Sequence, residues 1–101
     1  MPEFGSALTH LTPSRKVTHS ELVRAIRFMV AAEYEAVQLY MQLAEATDNE
    51  LAKEVLEDIS REELVHAGEF LRLLKELEPS EEVFYTEGSK EVEEIIQKLK
   101  G

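Results

Sequence analysis

Hydrophobic positions recur every three or four residues over two long segments of the chain, which is the spacing of one face of an α-helix. The repeating positions run from Leu22 to Ala44 in the first segment and from Ala52 to Leu77 in the second. Proline interrupts neither segment, and Gly68 is the one glycine inside them. The pattern therefore predicts two long helices.

Capping residues predict where these helices begin. Thr18 and Glu21 form a Thr-x-x-Glu capping box, which places the first helix at about residues 20–46. Thr47 and Glu50 form a second such box in the stretch TDNE and predict a tight turn. Two long helices joined by so short a turn are expected to lie antiparallel, as a hairpin.

The sequence also predicts where the second helix ends and where a third begins. The second helix is expected over about residues 50–77, because Pro79 cannot continue it. The stretch SEEVFYTEG, residues 80–88, is interpreted as a polar connector. Ser89 is expected to cap a short third helix with apolar residues on one side, namely Val92, Ile95, Ile96 and Leu99.

The chain is predicted to form one all-α domain over residues 18–101, an antiparallel two-helix hairpin with a short C-terminal helix. Residues 1–17 are interpreted as a cloning remnant followed by a loose N-terminal arm. The stretch MPEFGS contains the residue pairs that common restriction sites encode, and the arm contains Pro13 and no periodic pattern.

Composition narrows the range of partners. The 21 acidic residues outnumber the 11 basic ones, and the net charge of −10 argues against binding to nucleic acid or anionic membrane and favours cations. The absence of cysteine excludes disulfides, thiolate metal sites and iron-sulfur clusters from this sequence. No apolar run approaches the roughly 18 residues of a membrane span and no secretory signal is present, so a soluble intracellular protein is expected.

Charged residues interrupt both apolar faces at their centres. Glu33 lies in the middle of the first stripe, whose other members are Leu22, Ile26, Met29, Val37, Tyr40 and Ala44. Glu63 and His66 lie in the middle of the second stripe, together with Ala52, Leu56, Ile59, Phe70, Leu74 and Leu77. Glu62 and Glu69 fall on the shoulder of the second stripe or further round, where they are expected to be solvated.

This arrangement is typical of a carboxylate-bridged dinuclear metal site, in which carboxylates and imidazole bind Fe(II) or Mn(II). Glu63 and His66, three positions apart, can reach the same ion from one helical face. Four-helix di-iron proteins use a Glu from each of two helices and a Glu-x-x-His from each of the other two, so this chain carries half the set. Two chains related by a two-fold axis would complete a four-helix bundle with four carboxylates.

Simpler explanations exist for these residues. In so glutamate-rich a chain a Glu-x-x-His pair arises readily by composition, and a lone histidine on an apolar face is often a satisfied core residue. A lone glutamate there often lies at the edge of an interface. The metal site is preferred because Glu33, Glu63 and His66 are the charged exceptions at the centres of two otherwise apolar stripes.

Four stretches resemble the encapsulated ferritins, the ferritin-like proteins packed inside encapsulin nanocompartments. They are AAEYEAVQLY, ATDNEL, EELVHAGEFL and TEGS, at residues 31–40, 46–51, 62–71 and 86–89. The resemblance covers roughly residues 20–95 and implies membership of the wider ferritin and rubrerythrin-like superfamily.

The resemblance implies a ferroxidase that oxidises Fe(II) with dioxygen at a di-iron site shared across a homodimer. It implies Glu33, Glu63 and His66 as the catalytic iron ligands. Calcium, manganese and zinc are further candidates for secondary sites. It also implies assembly into an open decameric ring and iron storage in the lumen of an encapsulin compartment, with the shell protein as partner.

The resemblance assigns roles to two neighbouring residues. Tyr40 matches a tyrosine beside the family site. Acidic residues that flank the ligand glutamate collect metal ions in this family, and Glu35 matches one of them, whereas Ala32 stands where the other is expected. Leu39 stands where the family often has tryptophan.

Two other functions are compatible with the same residues. The first is a rubrerythrin-like di-iron peroxide reductase, whose electron donor would be another protein because the sequence has no cysteine. The second is a non-enzymatic helical assembly module, in which the same Glu and His side chains hold a structural metal such as zinc.

Overall fold

The computed structural model describes residues 13–101, which form three α-helices. Helix α1 spans His19–Ala46, α2 spans Glu50–Leu77 and α3 spans Glu81–Lys100. The all-α prediction and the bounds of the first two helices are confirmed. The predicted cloning remnant and the first part of the predicted arm lie outside the described residues. Among the described helices, none is both long and apolar enough to cross a membrane.

The predicted capping box at the start of α1 is present. The Glu21 backbone N–H donates to Thr18 Oγ1 at 3.1 Å, and the Thr18 backbone N–H donates to Glu21 Oε1 at 2.8 Å. Arg15 also donates to the Glu21 carboxylate, at 2.7 Å. The backbone N–H of Thr18 and then the guanidinium of Arg15 lower the pKa of Glu21 from 4.5 to about 2.

The turn between α1 and α2 differs from the prediction. The prediction of a Thr47–Glu50 capping box is wrong, because α2 begins at Glu50 and Asn49 occupies the N-cap position. Asn49 Oδ1 accepts from the Ala52 N–H at 2.9 Å. Thr47 instead ends α1, and its Oγ1 accepts from the Asn49 N–H at 3.1 Å. Asparagine is as good an N-cap as threonine or better, so the residue nearest the helix caps it.

The contact between α1 and α2 is a narrow seam of buried side chains. Ile26, Ala44 and Leu74 are the buried members of the predicted stripes, whereas His66 is exposed and the others are half-buried. The predicted stripes are therefore only partly buried in a single chain, because each helix packs against one neighbour and buries one narrow strip. The buried residues are Val23, Ile26, Val30 and Ala44 of α1 and Ser60, Ala67 and Leu74 of α2.

Helix α3 starts earlier than predicted, and residues 80–88 are helix rather than a polar connector. Two acidic residues in its first turn, Glu81 and Glu82, favour the helix start because they lie at the positive end of the helix dipole. Gly88 lies inside the helix, where glycine costs about 1 kcal/mol relative to alanine and need not end it. Ser89 is therefore not a cap.

Helix α3 packs along neither α1 nor α2 and contains no buried residue. Arg27 of α1 pairs with Glu81 at its first turn. Its apolar side chains face solvent in the single chain, with Phe84 68% and Leu99 82% exposed. An amphipathic helix of this kind is stabilised mainly by packing, so α3 lacks its main source of stability within one chain.

The observed cap of α2 leads to a test of helix stability. Asn49→Ala removes the acceptor for the Ala52 N–H, and we expect the free energy of unfolding to fall by about 1 kcal/mol. Asp48→Ala is the matched control, because Asp48 is exposed and caps neither helix. Urea unfolding followed by circular dichroism measures both, and an equal loss in the two variants would contradict the assignment of the cap.

The lowered pKa of Glu21 leads to a prediction about acid stability. A carboxyl whose pKa is lower in the folded chain stabilises that state fully above the unfolded pKa, and the stabilisation is lost as pH falls. The Glu21 contribution should thus be complete above about pH 4.5 and disappear towards pH 2. Thermal unfolding should show Glu21→Gln below the parent at pH 7 and converging with it over this range. A difference that is independent of pH would refute the assignment.

Candidate metal centre

The antiparallel pairing brings together the three side chains that interrupt the apolar faces. Glu33 lies near the middle of α1, and Glu63 and His66 lie near the middle of α2. His66 Nδ1 is 3.7 Å from Glu33 Oε2 and 3.6 Å from Glu63 Oε2. One ligand atom from each residue lies within 4.8 Å of the other two.

The two carboxylates are far more enclosed than the imidazole. The side chains of Glu33 and Glu63 are 19% and 18% exposed, whereas that of His66 is 49% exposed. Glu33 Oε2 is closed to solvent and has no hydrogen-bond partner among the described residues. A buried carboxylate oxygen without a donor is costly, and a bound cation would compensate it.

The donor set suits a divalent transition metal. Carboxylate oxygens and an imidazole nitrogen together bind Fe(II), Mn(II) and Zn(II), whereas a site for Mg(II) or Ca(II) would be built from oxygen alone. The distances of 3.6 and 3.7 Å are longer than hydrogen bonds, so the three groups are not hydrogen-bonded to one another, and they form ion pairs only when His66 is protonated. Three ligands leave coordination positions open, which is the condition for reaction at a metal rather than purely structural binding.

An open cavity of about 340 Å³ adjoins the cluster. Its lining contains Glu33 from α1 and, from α2, His66, Glu69 and Phe70. The exposed imidazole of His66 lies at this cavity, whereas Glu33 Oε2 is closed to solvent and Glu63 is not part of the lining. Small ions and dioxygen can therefore reach His66 in the single chain.

The structure does not bring the two other predicted site residues into this cluster. Tyr40 is half-buried on α1, about two turns beyond Glu33, and does not line the cavity. Glu35 is exposed and lies outside both the cluster and the cavity lining. Their roles beside the site and in metal collection remain predictions.

Two polar residues near the hairpin seam escaped the sequence interpretation. Glu69 was read as a solvated residue, and it is exposed, but it also lines the cavity. Its position three residues after His66 was the available signal, since residues at this spacing share a helical face. Ser60 is 3% exposed and its hydroxyl has no partner among residues 13–101. Ser60 lies four residues after Leu56 and seven before Ala67, so the helical spacing was the available signal for its burial.

Comparisons with known proteins identify the family of the chain. The family model described as Rubrerythrin matches residues 22–100. The crystal structure of the encapsulated ferritin domain from Pyrococcus furiosus superposes with a TM-score of 0.77 at 33% identity, over 85% of this chain and 93% of that one.

Two curated relatives extend the comparison. The ferritin-like-encapsulin shell fusion protein of Pyrococcus furiosus is 34% identical over 86% of this chain and 25% of its own length. The encapsulin nanocompartment cargo protein EncC of Myxococcus xanthus is 42% identical over 71% of this chain and 55% of its own length. The chain thus spans a quarter of the first relative and about half of the second.

The resemblance in the four sequence stretches is confirmed by these matches. The family match covers most of α1 and all of α2, and it includes Glu33, Glu63 and His66. The chain belongs to the rubrerythrin family of ferritin-like proteins and, within it, to the encapsulated ferritins.

Proposed function

We propose that the protein is a ferroxidase that oxidises Fe(II) to Fe(III) with dioxygen. The observation that carries this proposal is the unpaired, enclosed Oε2 atom of Glu33 beside Glu63 and His66. A cluster of two carboxylates and one imidazole, with open coordination positions and access to solvent, has the donors that Fe(II) requires. The rubrerythrin family match supports iron as the metal.

A second copy of the chain would complete the site. Each chain supplies two carboxylates and one imidazole, so a two-fold dimer supplies four carboxylates and two imidazoles, the set used by four-helix di-iron proteins. The four negative charges would balance two Fe(II) ions, which removes the electrostatic cost of burying the carboxylates. In such a dimer Glu33, Glu63 and His66 of each chain would together hold the two ions.

The same surface supports the dimer on grounds of packing. The half-buried positions of the predicted stripes surround Glu33 and His66 on one side of the hairpin, and a second hairpin placed there would bury them. Helix α3 exposes further apolar side chains, among them Phe84 and Leu99. Exposed apolar surface on this scale is typical of a protein that associates.

Charge also explains why the oxidised product would leave. Oxidation of two Fe(II) ions releases two electrons, which reduce one dioxygen molecule to hydrogen peroxide with two protons from solvent. Two Fe(III) ions carry six positive charges, whereas the four carboxylates carry four negative charges, so the site would have an excess of two positive charges. The excess charge favours hydroxide as an additional ligand, since Fe(III) is hydrolysed far more readily than Fe(II), and iron would then move on to storage as mineral.

The relatives suggest where this would happen. Their names place one beside an encapsulin shell in a single fusion protein and describe the other as cargo of an encapsulin nanocompartment. For this chain we propose the lumen of such a compartment, with the shell protein as partner and an open decameric ring of chains as the working assembly. An open ring has no mineral cavity, so a surrounding shell would hold the oxidised iron.

Loss of a ligand should abolish iron oxidation. Fe(II) is added anaerobically to the purified chain, air is admitted, and Fe(III) is followed by ultraviolet absorbance. We expect Glu63→Ala and His66→Ala to oxidise Fe(II) no faster than buffer, because each substitution removes two of the six ligands of the dimer. Glu62→Ala is the matched control, since the exposed Glu62 precedes Glu63 on the same helix, and it should behave as the parent.

Three outcomes of that experiment would contradict the proposal. Ligand variants that oxidise iron as fast as the parent would show that the cluster is not the site. Faster turnover of hydrogen peroxide with a reductant than of Fe(II) with dioxygen would favour a peroxide reductase. Tight zinc binding by a parent that does not oxidise Fe(II) would favour a structural metal in an assembly module.

Fe(II) should also drive association, because the site is complete only in the dimer. Native mass spectrometry or light scattering under anaerobic conditions should show a shift from one chain towards dimers and larger rings on addition of Fe(II), with two ions per dimer. His66→Ala should shift much less at the same metal concentration. A parent whose mass is unaffected by Fe(II), and which stays a monomer while oxidising iron, would rule out the shared site.

A further inference from the structure

Helix α3 projects away from the hairpin. Each helix of the hairpin has 28 residues and is about 42 Å long, and two packed helices are about 20 Å wide. The described residues extend over 55 × 46 × 20 Å, and their radius of gyration of 17.8 Å exceeds the roughly 13 Å of a compact domain of this size. The second long dimension comes from α3, which acts as a lever of about 30 Å.

The backbone that connects α2 to α3 is short. It consists of Glu78, Pro79 and Ser80. Pro79 fixes its own φ angle and keeps Glu78 out of the helical region. The backbone N–H groups of Glu81 and Glu82 donate to the carbonyls of Glu78 and Pro79, both at 3.2 Å. Since α3 packs along neither of the other helices, its direction depends on this connector and on side-chain contacts at its first turn.

The carboxylate of Glu81 provides such a contact at the base of α3. Arg27 of α1 donates to Glu81 Oε1, and the hydroxyl of Tyr85 donates to Glu81 Oε2. The side chain of Glu81 is 18% exposed and that of Arg27 is 47% exposed. Both carboxylate oxygens therefore have a donor, and the guanidinium makes one of these hydrogen bonds charge-assisted.

The Arg27–Glu81 pair differs from an ion pair that stays within one helix. Arg72 and Glu76, at 3.0 Å, are four residues apart on α2, and a pair at this spacing supports its own helix. Arg27 and Glu81 are 54 positions apart, and their contact joins α3 to α1. This pair can therefore orient one helix relative to another.

Glu81 also lies on the apolar face of α3. Tyr85, Val92 and Leu99 follow it by 4, 11 and 18 residues, which places all of them on one side of the helix. Their exposed fractions are 54%, 55% and 82%. A contact that holds Glu81 therefore fixes both where α3 points and which way its apolar face is turned.

We propose that the Arg27–Glu81 pair is a latch that holds α3 away from the hairpin and keeps its apolar face uncovered. When the latch is broken, α3 swings about residues 78–80. A swing of about 20° would move the far end of a helix of this length by about 10 Å. Because Arg27 is half-exposed, salt screens the pair, and high ionic strength releases the latch.

The test measures the distance between α3 and the hairpin within one chain. The sequence has no cysteine, so introduced cysteines can carry spin labels at chosen positions. Gln42→Cys on α1 and Lys98→Cys in the last turn of α3 replace exposed residues. Double electron–electron resonance gives the distribution of the distance between the two labels. An excess of unlabelled, metal-free protein ensures that both labels belong to the same chain.

The doubly labelled protein is compared with two variants made in the same background. The parent should show one narrow distribution. Arg27→Gln should shift or broaden it by on the order of 10 Å, because α3 is then free to swing. Arg72→Gln is the matched control, since it removes an ion pair within α2, and it should behave as the parent. Circular dichroism should show equal helix content in all three proteins.

Salt and charge reversal provide further expected results. Raising the ionic strength from about 0.1 to 1 M shortens the screening length from about 10 to about 3 Å, which should broaden the parent distribution and leave Arg27→Gln unchanged. Arg27→Glu combined with Glu81→Arg restores an ion pair with opposite polarity. The double variant should recover the narrow distribution, whereas Glu81→Arg alone should not.

Three outcomes would overturn the inference. Equal distributions in Arg27→Gln and the parent would show that the pair does not set the direction of α3. A charge-reversed pair that stays as broad as Arg27→Gln would show that attraction between the two charges does not hold the helix. A loss of helix content in Arg27→Gln would mean that α3 unfolds instead of swinging. The measurement requires no metal, so its failure leaves the proposed ferroxidase activity untouched.

Discussion

Glu33 places a carboxylate oxygen out of contact with water and with any hydrogen-bond donor of the described residues, in the middle of a helix that otherwise packs through apolar groups. Such an atom destabilises a fold unless a positive charge joins it. The antiparallel pairing of α1 with α2 brings a second carboxylate, that of Glu63, close to Glu33, which adds electrostatic repulsion. The same pairing brings the imidazole of His66 close to both carboxylates. Under the proposed function, a divalent cation between these three groups would turn them into a set of ligands. The residues that destabilise the hairpin are therefore the same residues that would bind the metal.

The second consequence of the pairing is that it leaves the site uncovered on one side. A hairpin has a single internal contact surface, here the narrow seam that includes Val23, Ile26 and Leu74. Every other apolar position around the cluster stays half-buried or exposed, and α3 contributes no cover. A chain of this size buries little surface by itself, so the stability it lacks and the ligands it lacks would be supplied by the same neighbour. The family match extends over the hairpin and α3 together.

Much of this architecture could be predicted from the sequence, for identifiable reasons. The long helices follow from unbroken periodicity between Thr18 and Pro79, and the triplet of Glu33, Glu63 and His66 follows from charges at the centres of apolar stripes. The residue that caps α2 was harder to predict. Asn49 caps α2 because it directly precedes the helix, although Thr47 has the Thr-x-x-Glu spacing of a capping box. The start of α3 was missed because Gly88 and the polar composition before it disfavour a helix only weakly. Burial within one chain could not be predicted, because periodicity shows which face of a helix is apolar and does not show whether that face is covered by the same chain.

The half-exposed imidazole of His66 has a further consequence for how the activity would depend on the amount of protein. On the proposed dimer, an isolated chain carries a ligand set that is open on one side and holds an ion loosely, so it contributes little turnover. When chains are dilute, the number of dimer sites would grow with the square of the total chain concentration. The activity per chain would therefore rise in proportion to that concentration. Confinement of many copies in a small volume would hold the chains above that threshold. Under the proposed function, the geometry of one histidine would thus make the reaction responsive to where the protein is kept as well as to how much iron is present.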